Sequence, residues 1–384
     1  MTIPQRIADF AADLTAIRRD LHQHPELGFQ EVRTAAIVAA KLRDWGIEVT
    51  EGIGKTGVVG VLQGARPGRT IGLRADMDAL PIDERTNLPF ASKTPGVMHA
   101  CGHDAHTTIL LGAARYLSET RDFAGTSVFI FQPAEEGLGG ARAMIADGLF
   151  ERFPCDEVYG LHNSPYHEPD IVGVKPGPAM AGANFFDITV NGKGCHAAMP
   201  ESGIDTIVIA TALVQQLQTI KARNVPAAQP LVLSVTQIHA GAAYNVIPDQ
   251  AVLTGTVRYF DRKTADMVTA RMQAICDGLA AAYGIEITMD MRNVFDVLDN
   301  DPALSEAMVA VAREFVGEKA AIKSDIVMGS EDFADMLQAI PGAYCTIGHA
   351  GSVPLHNPGF VLDDAVLPLG AAIMARMVET RGAA

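Results

Sequence analysis

SVFIFQP (127–133), GGARAMIADG (139–148) and DEVYGLHN (156–163) follow one another along the chain, and together they decide the fold class. The first and third are short apolar runs of the kind buried in a parallel or mixed sheet, whereas the apolar residues of the second have helical spacing. TIGLRAD (70–76) is a further run of the strand type. Because strands and helices alternate, the sequence predicts an α/β fold, a mixed sheet with helices on both faces.

The residues before this unit continue the same pattern. Apolar residues recur every three or four positions in 7–21, 36–42 and 107–117, which predicts three amphipathic helices. VVGVLQG (58–64) predicts a strand, and the turn ARPG (65–68) joins it to TIGLRAD. The first half of the chain is therefore expected to form one α/β unit.

A different pattern occupies the region from Gly182 to residue 293. Its predicted elements follow the order β-α-β-β-α-β, which is the split-βαβ pattern of a ferredoxin-like α+β domain. The residues from Val294 onwards again predict a helix, a strand and a final helix, so the first unit is expected to resume there. The sequence therefore predicts a core domain at 1–181 and 294–384, interrupted by an inserted satellite domain at 182–293.

The composition is that of a globular protein, with 48% hydrophobic and 20% charged residues. The formal charge of −15 would repel a phosphate backbone, so we expect neither nucleic acid nor a membrane as a partner. Five scattered cysteines argue against a disulfide framework. The sequence shows no signal-peptide pattern and no run of about eighteen apolar residues. We therefore expect a cytoplasmic protein with reduced thiols.

One glycine-rich segment imitates a nucleotide-binding motif. Gly52, Gly54 and Gly57 have the G-x-G-x-x-G spacing, and GKT (54–56) is similar to the end of a phosphate-binding loop. Both motifs must lead into a helix that receives the phosphate at its N-terminus, but a strand-like run follows here. The phosphate loop also needs a glycine where Val49 stands. The segment therefore predicts a hairpin.

The segment MHACGHDAH (98–106) combines a thiol with several imidazoles just before a predicted helix. Cys101 and His103 lie two residues apart, and a thiolate and an imidazole at this spacing are metal ligands. Taken alone, the pair could equally belong to an isolated structural metal site. Its position relative to the predicted sheet favours a functional site.

Acidic residues and an imidazole are predicted at the carboxyl ends of three strands. Asp76 and Asp78 end the first strand, Glu135 and Glu136 follow the second, and His162 ends the third. The crevice outside these strand ends is where open α/β sheets bind ligands. Adjacent side chains after a strand diverge, so one glutamate can bind a cation while the other faces a water molecule. Taken alone, both could be solvated loop charges.

At this point the chain resembles a known family, the M20 metallopeptidases and amidohydrolases, and within it the hippurate hydrolase and auxin-conjugate hydrolase branch. The resemblance covers almost the whole chain and rests on ten short motifs. These are HPELGFQE (24–31), LRADMDALP (73–81), HACGHDAH (99–106), QPAEEG (132–137), GLHN (160–163), GKGCHAAMP (192–200), YNVIPD (244–249), GTVR (255–258), GSEDF (329–333) and HNPGF (356–360).

The resemblance implies two divalent metal ions per subunit, zinc or manganese or else cobalt, with a bridging thiolate. The implied ligands are Cys101, His103, Glu136, His162 and His356. Glu135 is implied as the general base, and Asp78 as an acidic residue that orients a ligand. Many members of the wider group have His-x-Asp where Asp76 begins the motif here. Asp76 is therefore not expected to bind metal, and His103 is expected to supply the missing imidazole.

Three residues of the satellite domain complete the implied site. His196 is similar to a histidine that stabilises the oxyanion, often in the site of a partner subunit. Arg258 can bind a substrate carboxylate through two hydrogen bonds, with Asn245 beside it. From position alone, the three could instead be a loop residue, a strand-end residue and a turn former. The resemblance also implies a homodimer or higher homo-oligomer formed through the satellite.

The sequence thus predicts a metal-dependent amidohydrolase that cleaves N-acyl or N-aroyl amino acids, such as hippurate, to a carboxylic acid and a free amino acid. The alternatives within the family are a dipeptidase or carboxypeptidase and an N-acetyl-amino acid deacetylase. A non-catalytic binding protein on the same frame is disfavoured because the implied ligands and the base are all present. The sequence suggests no physical role for Glu331 or Asp332.

Overall fold

A computed structural model describes residues 2–351 and 353–383. Its α-helices are α1 Gln5–Asp9, α2 Ala11–Gln23, α3 Val32–Asp44, α4 His103–Thr120, α5 Gly140–Ala146, α6 Leu149–Arg152, α7 Thr206–Asn224, α8 Arg262–Tyr283, α9 Pro302–Val316, α10 Phe333–Ala339 and α11 Val366–Arg381. Its strands are β1 Glu48–Ile53, β2 Gly57–Gln63, β3 Arg66–Asp76, β4 Ala124–Gln132, β5 Glu157–Ser164, β6 Val172–Val174, β7 Gly177–Met180, β8 Gly182–Asn191, β9 Cys195–His196, β10 Leu231–Ala240, β11 Val246–Ile247, β12 Gln250–Tyr259, β13 Glu286–Phe295, β14 Leu298–Asn300, β15 Ala320–Ile322 and β16 Gly342–Gly348. Short 3-10 helices occur at Pro200–Ser202 and Gly317–Lys319.

The chain folds into two compact units. The larger unit comprises Met1–Ala179, Leu298–Asp325 and Asp332–Ala384, and the smaller unit comprises Met180–Val297 and Ile326–Glu331. The sequence assigns 326–331 to the core domain, whereas this short segment packs with the smaller unit.

An eight-stranded mixed sheet forms the centre of the larger unit, with the strand order β1-β2-β4-β3-β5-β16-β6-β15. Strands β4, β3, β5 and β16 run parallel to one another. The register sets Asp76 of β3 opposite Gln132 of β4, and His162 of β5 opposite Thr346 of β16. The carboxyl ends of these strands therefore meet at one edge of the sheet, which confirms the predicted mixed α/β fold.

The central strands are apolar on both faces because helices cover them. Val128 to Phe131 in β4 and Val158 to Leu161 in β5 are buried. Helix α4 packs against α2, α11 and β3, and nearly all of its first three turns are buried. A helix that is buried around its whole circumference needs apolar or internally bonded residues on every side. The polar side chains at the start of α4 must therefore find partners inside the protein.

Two local predictions have different outcomes. β1 and β2 pair antiparallel across Gly54, so the glycine-rich segment is a hairpin as predicted and leads into no helix. The turn predicted at 65–68 is instead largely strand, because β3 begins at Arg66. β4 lies between β2 and β3, so these two strands are consecutive in the chain without being neighbours in the sheet.

The smaller unit contains a four-stranded antiparallel sheet with the order β10-β12-β8-β13, and α7 and α8 connect its strands. This order and the β-α-β-β-α-β sequence are those of a ferredoxin-like domain, as predicted. Asp205 and Asp261 cap the two helices by accepting hydrogen bonds from backbone N–H groups of the first turn. The alternating apolar residues of β8 and β12 form the core against these helices.

All five cysteines are free, as expected from their number and spacing. Among the described residues, no helix has the length and apolar character that a membrane span requires.

Candidate metal centre

Three structural features of the larger unit bring the predicted ligands together. The loops after β3 and β4 and the end of β5 lie at the same sheet edge. Helix α4 begins at His103, directly after Gly102, whose φ of +96° is in the left-handed region. Glycine at this position lets the chain turn sharply into the helix, so that Cys101 and His103 lie on either side of the turn.

Two clusters of candidate ligands share one thiol. Cys101, His103 and His162 form the first, and Cys101, Glu136 and His356 form the second, with the ligand atoms of each cluster within 4.8 Å of one another. Cys101 Sγ lies 3.3 Å from His162 Nε2, and Glu136 Oε1 lies 3.2 Å from His356 Nε2. All five residues for which the resemblance implies a metal-binding role are thus brought together.

The contacts of His103 indicate what the site is built to hold. Its Nδ1 lies 3.2 Å from Asp78 Oδ1, and a neutral imidazole would donate its hydrogen to this carboxylate. Its Nε2 is buried and has no hydrogen-bond partner among the described residues. Around this nitrogen lie three carboxylate oxygens, namely Asp76 Oδ2 at 3.8 Å, Glu136 Oε1 at 3.9 Å and Glu135 Oε2 at 4.0 Å. An inward-facing imidazole nitrogen surrounded by carboxylates fits a divalent cation, so the residues present fit the implied metal.

The ring of His162 is oriented like that of His103, with Nδ1 on an oxygen acceptor and Nε2 towards the cluster. Its Nδ1 donates to the backbone carbonyl of Asn163 at 2.6 Å, which leaves the lone pair of Nε2 directed towards the thiol of Cys101. Burial and the nearby ring of His106 hold the pKa of His162 well below its usual range. The imidazole is therefore neutral, the form that binds metal.

The protonation of the other candidate ligands depends on their neighbours. Burial disfavours a charge on His103, but Asp76, Cys101 and Asp78 together raise its pKa well above the usual value. Burial raises the pKa of the Cys101 thiol. Hydrogen bonding to Cys101 and Glu136 raises the pKa of His356 to about 10.

Asp78 holds the two glutamates as well as His103. Its Oδ1 accepts a hydrogen bond from the backbone N–H of Glu135, and its Oδ2 accepts one from that of Glu136, both at 3.0 Å. Because one carboxylate orients an imidazole and two successive peptide groups, it fixes both sides of the candidate site. This arrangement is consistent with the orienting role implied for Asp78.

Glu31 supports the same loop, although the sequence did not predict it. Ala134, the residue before Glu135, has a φ of +53°, and its N–H donates to the buried Glu31 Oε1 at 2.8 Å. The Thr56 hydroxyl donates to the other oxygen of Glu31 at 2.5 Å. Burial raises the pKa of Glu31 despite these hydrogen bonds. Its membership in the motif HPELGFQE was the available signal.

Asp76 lies beside the first cluster, because its Oδ2 is 3.8 Å from His103 Nε2 and its side chain groups with His103 and His106 as a further set that could hold a metal ion. Its Oδ1 accepts from His106 Nδ1 at 2.7 Å and its Oδ2 from Arg74 Nη1 at 2.8 Å. The same arginine contacts Asp332 at 3.1 Å. Asp332 also accepts from the Gln132 amide at 2.7 Å. The motif GSEDF therefore contributes a buried partner for Arg74, a role that its sequence did not reveal.

The three candidate residues of the smaller unit fall into two groups. His196 and Asn245 are close, because β9 pairs with β11 and Ala197 N–H donates to the Asn245 carbonyl at 3.0 Å. His196 is exposed, and its Nδ1 accepts the N–H of Ala198 at 3.1 Å, so its hydrogen is on Nε2. Arg258 lies in β12 over the ring of Phe185, and burial lowers its pKa.

Comparison with known proteins identifies the family. The model of the peptidase family M20/M25/M40 matches residues 72–380. The chain belongs to this family. It is 44% identical over 379 residues to a hippurate hydrolase of Campylobacter jejuni, covering 98% of both chains. It is also 40% identical to an N-acetylcysteine deacetylase of Bacillus subtilis, covering 96% of both chains, and 39% identical to a thermostable carboxypeptidase of Saccharolobus solfataricus, covering 92% of both.

A solved structure agrees with this assignment. The YXEP protein of Bacillus subtilis, described as a dinuclear metal binding peptidase of the M20 family, has 36% sequence identity and a TM-score of 0.84, covering 97% of this chain and 99% of its own. The chain is therefore an M20 metal-dependent amidohydrolase that acts on linear amides and binds divalent metal.

Proposed function

We propose that the protein hydrolyses N-acyl or N-aroyl amino acids of the hippurate type, releasing a carboxylic acid and a free amino acid. The observation that carries this proposal is the pair of clusters that share Cys101, with Glu135 beside them. The similarity to a hippurate hydrolase over nearly the whole chain supports the substrate class. Candidate metal ligands with a carboxylate beside them are the groups that an enzyme needs to hydrolyse an amide.

In this proposal Cys101, His103, Glu136, His162 and His356 would hold two divalent ions per subunit, and Cys101 belongs to both clusters of candidate ligands. The mixture of one soft sulfur, three imidazoles and a carboxylate suits zinc and also accepts manganese or cobalt. When bound, such ions supply a Lewis acid for the amide carbonyl and make a water molecule more acidic. The ligand set and the two-ion stoichiometry are our proposals.

Glu135 is proposed as the general base. Its carboxylate is buried, and its Oε2 lies 4.0 Å from His103 Nε2. The Glu135 carboxylate would accept a proton from the attacking water and later transfer it to the nitrogen of the leaving amine. One carboxylate can perform both steps because the proton it gains in the first is the one it loses in the second.

His196 is proposed to donate to the oxyanion that develops on the amide oxygen. The backbone N–H of Ala198 occupies its Nδ1, so Nε2 carries the hydrogen and is exposed. A donor at a developing oxyanion stabilises the transition state more than the ground state. The tautomer in the smaller unit is thus the one that this role requires.

Arg258 is proposed to bind the α-carboxylate of the substrate, with Asn245 beside it. Among the described residues no ion pair is formed by Arg258, whose side chain contacts Thr256 and the ring of Phe185. A half-buried guanidinium without a carboxylate partner can bind an anionic ligand in a bidentate manner, through two parallel hydrogen bonds. A free carboxylate on the substrate would then be essential for binding.

We further propose that 1–181 and 294–384, apart from the segment 326–331 that packs with the smaller unit, form the catalytic domain, and that the satellite at 182–293 has lid and dimerisation functions. Strand β10 is at the edge of its sheet, and Ile238 on it is 50% exposed. Val208 on α7 is 53% exposed. An unpaired edge strand with exposed apolar residues can pair with a second copy, which supports a homodimer. Sedimentation at several concentrations tests this.

Two other reactions use the same machinery. The similarity to relatives named as a deacetylase and a carboxypeptidase supports N-acetyl-amino acids and peptides, respectively, as alternative substrates of this protein. A panel of N-benzoylglycine, N-acetylcysteine and glycylglycine at equal concentration would rank them by kcat/KM. We expect the N-benzoyl compound to rank first, and a leading dipeptide would replace our proposal with a dipeptidase.

The catalytic assignment has its own test. Dialysis against a chelator should abolish hydrolysis of N-benzoylglycine, and added zinc, manganese or cobalt should restore it. Glu135→Gln should retain the metal but lose activity by about 10²–10⁴-fold, the usual contribution of a general base. Glu151→Gln, at an exposed position of α6, is the matched control and should remain active. Full activity in Glu135→Gln would exclude Glu135 as the base.

A further inference from the structure

Asn163 follows a candidate ligand directly in the chain and is itself buried. It is the seventh residue of β5, and its neighbour His162 points towards Cys101. An amide buried at 2% exposure must have its donors and acceptor satisfied, which makes its partners informative.

The side-chain amide of Asn163 has three partners. Nδ2 donates to the backbone carbonyl of Cys101 at 2.6 Å and to His106 Nε2 at 3.0 Å. Oδ1 accepts from His349 Nε2 at 3.0 Å. Because a carbonyl only accepts, the nitrogen of the amide must be the atom that faces Cys101, and this fixes the orientation of the whole group.

The main chain of Asn163 adds two more contacts. Its carbonyl accepts the Nδ1 hydrogen of His162 at 2.6 Å, and its N–H donates to His106 Nε2 at 3.0 Å. Residue 163 therefore holds the peptide of one candidate ligand and the ring of another. His106 is held on both sides, because its Nε2 accepts from Asn163 and its Nδ1 donates to Asp76.

The space around Gly102 shows how closely the Asn163 side chain packs against it. A Cβ atom built on Gly102 would lie 2.1 Å from Asn163 Nδ2, so the amide occupies the space that any other residue would need. Gly102 separates Cys101 from His103, and its φ of +96° already requires glycine. The amide therefore packs directly against the turn that carries two candidate ligands.

We propose that the side chain of Asn163 is a positioning residue for the metal centre, which fixes the turn that carries Cys101 and His103 and, through the ring of His106, the neighbouring ring of His162, and thereby sets the affinity for the metal. The inference rests on the proposed function, because it requires these three residues to be ligands. The Asn163 amide touches none of the reacting atoms and acts through the Cys101 carbonyl and the His106 ring, whereas the contact of His162 with the backbone carbonyl of residue 163 remains in every variant. Loss of such outer contacts typically weakens metal binding by about 10–100-fold.

The test measures metal binding rather than turnover. Full-length Asn163→Ala is titrated with Co²⁺ while thiolate-to-cobalt absorption is recorded, and with Mn²⁺ in competition. We expect Kd for both metals to rise by about 10–100-fold. Asn300→Ala is the matched control. Asn300 is equally buried and uses its amide on the backbone of Lys175 and Tyr344, away from the candidate ligands.

Folding is controlled with a second variant and a second measurement. Asn163→Asp keeps the volume but replaces the donor by an acceptor, so it should lose affinity even if Asn163→Ala does not fold. The melting temperature is measured in chelator and with added Mn²⁺, because a ligand that binds only the folded state raises it. The metal-induced rise should shrink in both Asn163 variants and persist in Asn300→Ala.

The outcomes separate this inference from the proposed function. Wild-type affinity in both Asn163 variants, or an equal loss in Asn300→Ala, would overturn the positioning role while the metal centre stands. Absence of the thiolate absorption from the wild type, or its persistence in Cys101→Ala, would overturn the proposed ligand set and the inference with it.

Discussion

Replacing Asp332 by alanine should destabilise the larger unit by about 3–5 kcal/mol, the usual cost of removing one partner from a buried ion pair. Asp332 is fully buried and accepts from the Arg74 guanidinium, the Gln132 amide and the Ala141 N–H at 3.1, 2.7 and 2.9 Å. Each stranded donor would cost about 1–3 kcal/mol. Arg74 keeps its hydrogen bond to Asp76 at 2.8 Å, so the lower part of the summed range applies.

Unfolding of Asp332→Ala can be followed by the fluorescence of Trp45, the single tryptophan, which packs against the core of the larger unit. At about 2–4 °C per kcal/mol, the melting temperature should fall by about 10 °C. Lys319→Ala is the control, because Asp170 and Lys319 form an ion pair whose side chains are 53% and 54% exposed. Such a pair contributes at most about 1 kcal/mol. If Asp332→Ala unfolds within about 1 kcal/mol of this control, the buried pair does not stabilise the unit as argued.

Three further predictions address the site and its surroundings. Glu31→Ala should lower kcat by about 10–100-fold with unchanged metal affinity, because Glu31 holds the peptide before Glu135 and small misplacements are costly in catalysis; a weaker metal affinity at normal kcat would contradict this. Gly102→Ala should destabilise the protein by at least about 1–3 kcal/mol and weaken metal binding, because its φ is +96° and a Cβ would overlap the neighbouring amide; wild-type stability in denaturant titrations would refute it. Burial disfavours the charged form of His22, but hydrogen bonds to Asp104 and Glu84 outweigh burial and raise its pKa above 6.5. Stabilisation by charged His22 is therefore complete below pH 6.5 and is lost as the pH rises through the folded pKa, so His22→Gln should flatten this part of the stability curve measured in chelator; an unchanged slope would show that His22 does not contribute.

Periodicity predicted the elements of the fold well, because each depends on residues close in the chain. The helix expected at 107–117 exists and extends back to His103, where Gly102 allows the turn that starts it. The order of strands was less accessible. β4 inserts between β2 and β3, and no local pattern reveals that a later strand separates two consecutive ones. The same limit applies to 326–331, which packs with the smaller unit although residues 298–325 of the larger unit separate it from the rest of that unit in the sequence.

The candidate ligands were predictable because their chemical types are rare and their motifs are compact. The residues that hold them were not, because each acts over a long separation in sequence. Glu31 supports Ala134, and Asn163 bonds to the Cys101 carbonyl from a different strand. Glutamate in a helix-start motif and asparagine after a histidine are common, so only the folded register shows which groups they meet.

These supporting contacts fix the orientation of two candidate ligands through the fold itself. His103 and His162 each use Nδ1 on a fixed outer acceptor, a carboxylate in one case and a peptide carbonyl in the other, and present Nε2 to the interior. The two rings are thus oriented by the fold of a unit with its own large core. A small zinc domain, by contrast, folds only when its ligands close on the ion. If the two rings are ligands as proposed, little of the free energy of metal binding would be needed to order them, and more of it would contribute to affinity.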